Sequence, residues 1–286
     1  MNKDKFCVFI LSHGRPDNVK TLKTLKKAGY RGDWFIIIDD EDETGEQYKK
    51  NFGKNRVITF CKKYAEKITD KMDLLKERDC VVFARNSCFE IAKKLGYDFF
   101  LELDDDYSSF QFRHDLKSGF CNVSVVRNIN KVFECFIKFL KNTNTLVVAM
   151  AQGGDFIGGG EGIYGKKVFL TRKVMNTFFC NVKKPFKFLG RINEDTNFYV
   201  YNGMIGNLCF TTSQIMIVQT TTQQSKGGLT DIYKSLGTFC KSFYTVIINP
   251  SAVKISAMGD THYRIHHKIN WRYAVPLILR ETAKKL

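Results

Sequence analysis

The run Leu101-Glu102-Leu103-Asp104-Asp105-Asp106 ends an apolar segment in three adjacent carboxylates. Crowded carboxylates repel one another and favour a bound cation. Alternate residues of an extended chain point the same way, so Asp104 and Asp106 can share one divalent ion, whose preference for hard oxygen ligands extends to a diphosphate. A solvated acidic turn is the competing account. The strand-like Phe99–Leu103 before it favours the metal, because ligands bind at the carboxyl ends of strands in open α/β sheets.

Other side chains are placed to serve the same chemistry. Asp39-Asp40 also follows an apolar run, where a carboxylate can accept hydrogen bonds from a ribose or a base edge; an acidic loop capping a helix explains it equally. In Ser12-His13-Gly14-Arg15, the Arg15 guanidinium can hold a diphosphate or stack on a base. Ala84-Arg85-Asn86 opens a helix, and Arg85 near its N-terminus would lie beside the same anion unless it is a surface arginine. Asn193-Glu194-Asp195 offers a carboxylate pair, one of which could accept a proton from an attacking hydroxyl; an N-capping pair is the alternative. His262, His266 and His267 crowd three imidazoles into six positions. Without a cysteine at ligand spacing a structural zinc site is disfavoured, and one imidazole completing the Asp104–Asp106 site fits better.

Gly160-Glu161-Gly162-Ile163-Tyr164-Gly165-Lys166-Lys167 satisfies G-x-G-x-x-G and nearly satisfies the P-loop pattern. No strand directly precedes it, and Lys167 stands where a P-loop needs a hydroxyl for Mg²⁺. With Gly153, Gly154, Gly158 and Gly159 it reads as a loop permitting close backbone approach, or as a purely structural turn.

These groups must be held by the elements around them. Phe6–Leu11 is a continuous apolar run suited to a strand buried on both faces. Val19, Leu22, Leu25 and Ala28 follow at helical spacing, ended by Gly29, and Trp34–Ile38 is a second strand. Arg56–Cys61 and Phe99–Leu103 repeat the strand pattern, with a helix over 84–95 between them. Val125–Leu140 predicts another helix and Leu146–Ala151 another strand, with polar strands around Cys209–Thr222. The fold class is α/β: an open, mostly parallel sheet with flanking helices. One domain over 1–286 is expected, with a Rossmann-like nucleotide-binding half over 1–106, an acceptor-side half over 107–250 and a closing segment over 251–286.

Composition narrows the partners. Forty-five Lys and Arg against twenty-nine Asp and Glu give +16, a field that attracts nucleic acid, anionic membrane or phosphorylated small molecules; a basic but inert surface is the alternative. With 44% hydrophobic residues and only four prolines, disorder, collagen and coiled coil are excluded. Nine cysteines without C-x-x-C read as small core side chains in a reducing cytosol, and no apolar stretch approaches membrane-spanning length. A soluble, cytoplasmic protein is expected.

Taken in chain order, a βα unit ending at Arg15, an acidic second strand end, Ala84-Arg85-Asn86 before a D-x-D strand, Glu194-Asp195 and a C-terminal histidine resemble the GT-A superfamily of nucleotide-sugar-dependent glycosyltransferases. The resemblance covers most of the chain. It implies Asp104 and Asp106 as ligands of Mn²⁺ or Mg²⁺ with the donor diphosphate, and Asp105 facing the donor sugar or ribose. It lines the nucleotide pocket with Arg15, Asp39 or Asp40, Arg85 and Asn86. His266 would complete the metal site, with His262 and His267 as rivals, and Asp195 beside Glu194 would be the base. A UDP-sugar is the implied donor.

The segments S-H-G-R-P, L-D-D-D-Y, Q-Q-S-K-G-G-L-T-D-I-Y, G-T-F-C-K-S-F and R-I-H-H-K-I-N-W look more narrowly like bacteriophage glycosyltransferases of modified DNA bases, which are similar to TET-associated glycosyltransferases. That resemblance implies duplex DNA carrying a hydroxymethylated pyrimidine as acceptor, reached by flipping the base from the stack. Lys226, Tyr233, Lys241 and Lys268 are then candidate acceptor contacts. Two rival readings are the same enzyme class acting on a surface glycan or protein, and an inactive DNA-binding relative.

Overall fold

The computed structural model describes residues 4–115, 119–156, 171, 173–219, 237, 239–258 and 264–284. Lys226, Tyr233, His262 and the glycine pattern 160–167 lie outside the described residues. Two strands fix the design of the core. In β1 (Phe6–Leu11), Cys7, Phe9 and Leu11 enter one hydrophobic cluster, whereas Val8 and Ile10 enter another on the opposite face. In β4 (Phe99–Asp104), Phe100 joins the first cluster and Phe99, Leu101 and Leu103 the second. Period-two alternation with apolar residues on both sides requires a helical layer on each face.

Those layers are present. Helices α1 (Lys20–Lys27) and α5 (Ile129–Asn142) cover one face through Leu22, Leu25, Ile129 and Phe133. Helices α4 (Val82–Lys94) and α6 (Glu194–Met204) cover the other through Phe83, Cys88, Phe89 and Phe198. The short α2 (Gly45–Phe52) and α3 (Lys62–Ile68) join β2 (Asp33–Asp39) to β3 (Val57–Phe60) and β3 to α4.

The remaining strands are β5 (Tyr107–Asp115), β6 (Gly119–Val125), β7 (Val147–Gln152), β8 (Thr177–Asn181) and β9 (Cys209–Gln219). Nine strands form one sheet in the order β3-β2-β1-β4-β8-β7-β9-β5-β6. Their pairings make all but β8 and β5 run in one direction, so the sheet is mostly parallel as expected. Strands from both sides of the acidic turn thus share one sheet. After β9, α7 (Cys240–Ile248) leads to the hairpin of β10 (Val253–Met258) and β11 (Arg264–Ile269), then to α8 (Trp271–Ala274). At Gly203, an added Cβ would lie 1.9 Å from the Ala274 carbonyl oxygen, so only glycine lets α8 close on α6.

One expectation shifts. Val125 ends a strand and the helix begins at Ile129, because β6 pairs antiparallel with β5 as far as Val125. His266 and His267 stand on a strand.

Candidate functional site

The carboxyl ends of β1, β2 and β4 converge with the N-terminus of α6. Parallel pairing sets Leu11 opposite both Ile37 and Asp104, so the loop after β1 lies between the acidic ends of its neighbours. On β4, Glu102 and Asp104 share the face that carries Phe100, toward α4, where Arg85 is 2% exposed.

Arg85 is a hub. Its Nη2 donates to Asp104 Oδ1 at 2.9 Å and its Nε to Glu194 Oε1 at 3.1 Å, while Nη1 lies 3.7 Å from Glu102 Oε2. The Phe178 ring backs the guanidinium at 5.0 Å. Glu102 is wholly buried; among the described residues neither of its oxygens nor Arg85 Nη1 has a hydrogen-bond partner. Burial pushes the Glu102 carboxyl up to about 8 despite the nearby guanidinium. The sequence placed Arg85 beside the donor's anion. The structure turns it inward, because α4 presents this position to the sheet and three carboxylates surround it there.

The acidic turn divides its side chains. Asp104 Oδ2 accepts from Tyr107 Oη at 3.3 Å, so both its oxygens are engaged. Asp105, expected to face the donor, is 2% exposed; Ser12 Oγ donates to it at 2.5 Å and Arg15 Nη2 lies 3.3 Å away. Burial raises its pKa, and Arg15 works against that. Asp106 is half-buried, and burial followed by the charges of Asp104 and Asp105 pushes its carboxyl up to about 6. That excess of negative charge is an environment that suits a divalent cation. Among the described residues no three His, Cys, Asp or Glu side chains converge as a ready metal shell. The expected trio of Asp104, Asp106 and His266 is therefore not assembled: Asp104 is tied to Arg85 and Tyr107, and His266 stacks on His267 at 4.3 Å.

Beside this turn, His13 Nδ1 meets Asp39 Oδ2 at 2.7 Å, and the buried Lys62 ammonium lies 3.3 Å from Asp39 Oδ1. Burial works to raise the Asp39 pKa, but the His13 hydrogen bond and the charges of His13 and Lys62 hold it below its ordinary value. Asp40 is exposed and accepts the backbone N–H of Lys62 at 2.9 Å, capping α3. Arg15, more than a third exposed, leaves part of its guanidinium open to an incoming anion. Asn86, expected in the nucleotide pocket, donates to Thr69 and the Phe188 carbonyl and accepts from the Phe188 N–H. Only 7% exposed, it fastens the loop before α6 to α4.

Glu194 and Asp195 open α6, and Asn193 precedes them at φ 54°, a left-handed conformation held by its amide donating to the Lys241 carbonyl and Thr245 Oγ1. Burial and mutual repulsion raise the Glu194 carboxyl, and burial raises that of Asp195, so the pair retains a proton more readily than free carboxylates. The Lys241 charge reaches Asp195 and also His267, which is 7% exposed with Nδ1 unpartnered among the described residues. Burial, then His266, Lys173 and Lys241, push His267 down to about 3, so it is neutral at pH 7. Lys268 is exposed on β11, opposite Lys254.

Sequence reasoning gave no role to Glu102, Tyr107, His13 or Lys62. Glu102 left a signal, a carboxylate at the position alternate to Asp104 inside an apolar strand. The contacts of His13 and Lys62 with acidic groups depend on tertiary approach and had none, whereas Tyr107 meets Asp104 within the acidic turn itself.

No curated protein sequence matches the chain. Among solved structures, it is similar to Mycobacterium tuberculosis glucosyl-3-phosphoglycerate synthase with Mg²⁺ and UDP, at 7% identity over 93% of this chain and 88% of that one, TM-score 0.49. A complex of that protein with Mn²⁺ and UDP-glucose matches at 8% identity over 93% and 87%, TM-score 0.47. S. aureus TarS matches at 15% identity over 80% of this chain and 38% of that one, TM-score 0.44. A family model described as TET-associated glycosyltransferase matches residues 6–228, which include the Arg15 loop, the acidic turn, Arg85 and the Glu194–Asp195 pair. The chain is thus a member of the TET-associated glycosyltransferase family.

Proposed function

We propose that this glycosyltransferase moves a sugar from a nucleoside diphosphate sugar, with UDP as the nucleotide, to the hydroxyl of a hydroxymethylated base in duplex DNA. The observation that carries the reading is the convergence of the Asp104–Asp106 turn and the Glu194–Asp195 pair on one buried guanidinium. One acidic element suits a cation with its diphosphate, and the other suits an attacking hydroxyl. The net charge of +16 supports a polyanionic acceptor.

Asp106 would hold Mn²⁺ or Mg²⁺, which supplies charge neutralisation for the departing nucleoside diphosphate. Arg15 would meet the diphosphate from the β1 side, while His13 and Asp39 present a polar edge to the nucleoside. The acceptor oxygen forms a bond to the anomeric carbon as the bond from that carbon to the diphosphate oxygen breaks. Asp195 takes the hydroxyl proton, and its raised affinity for protons suits a base that works near neutral pH. The Lys241 charge lies close enough to Asp195 to favour its ionised form. The reaction would run in the cytoplasm, where DNA and nucleotide sugars meet. Among the described residues no helix is long and apolar enough to cross a membrane.

The test is a mass-based transfer assay with Mn²⁺, a panel of UDP-sugars and duplex DNA containing cytosine or 5-hydroxymethylcytosine. The expected result is one sugar added per modified base, none on cytosine, and loss of transfer in Asp106→Ala. Metal-dependent donor hydrolysis without transfer to DNA would move the acceptor to another hydroxyl.

A further inference from the structure

Helix α7 presents an apolar stripe to solvent. Its inner side is occupied: Cys240 packs with Ile192 and Leu75, Ser242 and Thr245 are buried, and Tyr244 donates to Asp73. The outer side carries Phe239 at the N-cap, Phe243 one turn on and Ile247 one turn further, 54%, 42% and 67% exposed. Positions four apart line one face of a helix. The two phenyl rings meet edge to face at 6.0 Å. Leu74, next in sequence to the Asp73 that Tyr244 contacts, is fully exposed as well. Large apolar side chains grouped this way, rather than scattered singly, mark an interaction surface.

The surroundings select the partner. Helix α7 and strands β10 and β11 contain lysine or arginine and no acidic residue. Lys254 and Lys268 face each other across the hairpin, which is tied to α7 through Ser242 Oγ donating to the Ile265 carbonyl. The stripe is also coupled to the chemistry, because Asn193 bonds both Lys241 and Thr245 one residue before Glu194. A second copy of the chain would set these lysines against themselves. A duplex offers phosphates to the lysines and, once a base leaves the stack, a gap that an aromatic ring can fill.

We infer that the α7 face is the docking surface for the acceptor DNA, with Phe239 and Phe243 stacking on bases and Lys254 and Lys268 of the adjoining hairpin meeting phosphates. The inference rests on the reading of DNA as the acceptor and adds the surface that takes it. These residues lie beyond the 6–228 segment that defines family membership.

The test is fluorescence anisotropy of the full chain with duplex DNA containing 5-hydroxymethylcytosine, across a salt series. Wild type binds with a steep salt dependence. Phe239→Ala and Phe243→Ala each weaken binding about tenfold and leave the salt slope unchanged, as expected for lost stacking. Tyrosine at either position restores binding and leucine does not. Lys254→Ala or Lys268→Ala makes the slope shallower by about one. Thermal unfolding of each variant separates misfolding from lost contact. Wild-type binding that the double phenylalanine variant leaves intact overturns this surface alone. No duplex binding by the wild type at low salt overturns the DNA acceptor and the surface together. A DNA-independent dimer that the double variant dissolves assigns the face to a second copy instead.

Discussion

Arg85 donates to Asp104 at 2.9 Å while itself only 2% exposed, so the residue that fixes the acidic turn is held inside the protein. The same guanidinium reaches Glu194 at 3.1 Å. One fork therefore sets the spacing between the end of β4 and the first turn of α6, the two elements assigned to the donor and the acceptor. A lysine could carry the charge, but all its donors sit on one nitrogen, so it lacks the planar fork that reaches the two carboxylates from separate nitrogens.

Removing that cation should cost more than any surface substitution. Arg85→Met leaves Asp104 and Glu194 without a shared counter-charge, and breaking a buried pair from one side costs about 3–5 kcal/mol. Urea unfolding at pH 7 should show this loss, and at pH 5 a smaller one, because the raised carboxyl of Glu194 takes up its proton over that range. Arg85→Lys should fall between. A loss below about 1 kcal/mol at pH 7 would mean the carboxylates find another partner.

Glu102 predicts an unusual pH dependence of stability. Its pKa rises from 4.5 to about 8 on folding, so the folded protein holds the proton more tightly than the unfolded chain. The stability it contributes is present below about 4.5 and is lost as pH rises toward 8, at up to about 1.4 kcal/mol per pH unit. Glu102→Gln keeps the shape and removes the titration. Unfolding measured from pH 5 to pH 8 should show the variant gaining steadily on wild type; parallel curves would rule the titration out.

How much of this was legible beforehand follows from the range of the interactions. Strands β1, β2, β4 and β7 and helix α1 announce themselves by local periodicity, and the acidic turn by its position after an apolar strand. Local periodicity carries the α5 pattern back to Val125, the last residue of β6, because Val125 and Val126 continue its apolar run, and nothing local marks the β5–β6 pairing. Arg85 and Asn86 were legible as polar residues opening a helix, but not as buried ones. Their partners Glu194 and Phe188 are distant in sequence and become neighbours only when α6 closes on the sheet. The role of Asn193 was hidden likewise, since only its contact with α7 explains a left-handed asparagine before Glu194.

The segment 69–81 before α4 is fastened by a second buried arginine. Arg191 is fully buried; its Nε donates to Asp73 at 2.8 Å, and its Nη2 bonds the Leu75 carbonyl at 3.0 Å. Tyr244 donates to the same Asp73 carboxylate. Asp73→Ala strands the arginine and should cost about 3 kcal/mol, whereas Tyr244→Phe should cost about 1 kcal/mol. Limited proteolysis should then cut within 69–81 faster in Asp73→Ala than in wild type. A double-mutant cycle between Asp73 and Arg191 that returns no coupling would show the segment is held by its other contacts.

Metal binding at the acidic turn should carry the titration of Asp106. Burial and the charges of Asp104 and Asp105 push this carboxyl up to about 6, and a cation must displace the proton to bind. Above about pH 6 the apparent affinity for Mn²⁺ in the presence of UDP should be nearly flat. Below it, affinity should fall by up to about tenfold per pH unit, in the direction expected when the proton-bound form cannot ligate. Asp106→Asn should bind weakly at every pH and lose the break near 6. Calorimetric titration at closely spaced pH values separates this from unfolding, since the wild-type break must appear while the unfolding midpoint stays far above the working temperature. An affinity independent of pH from 5 to 8 would place the cation on ligands other than Asp106.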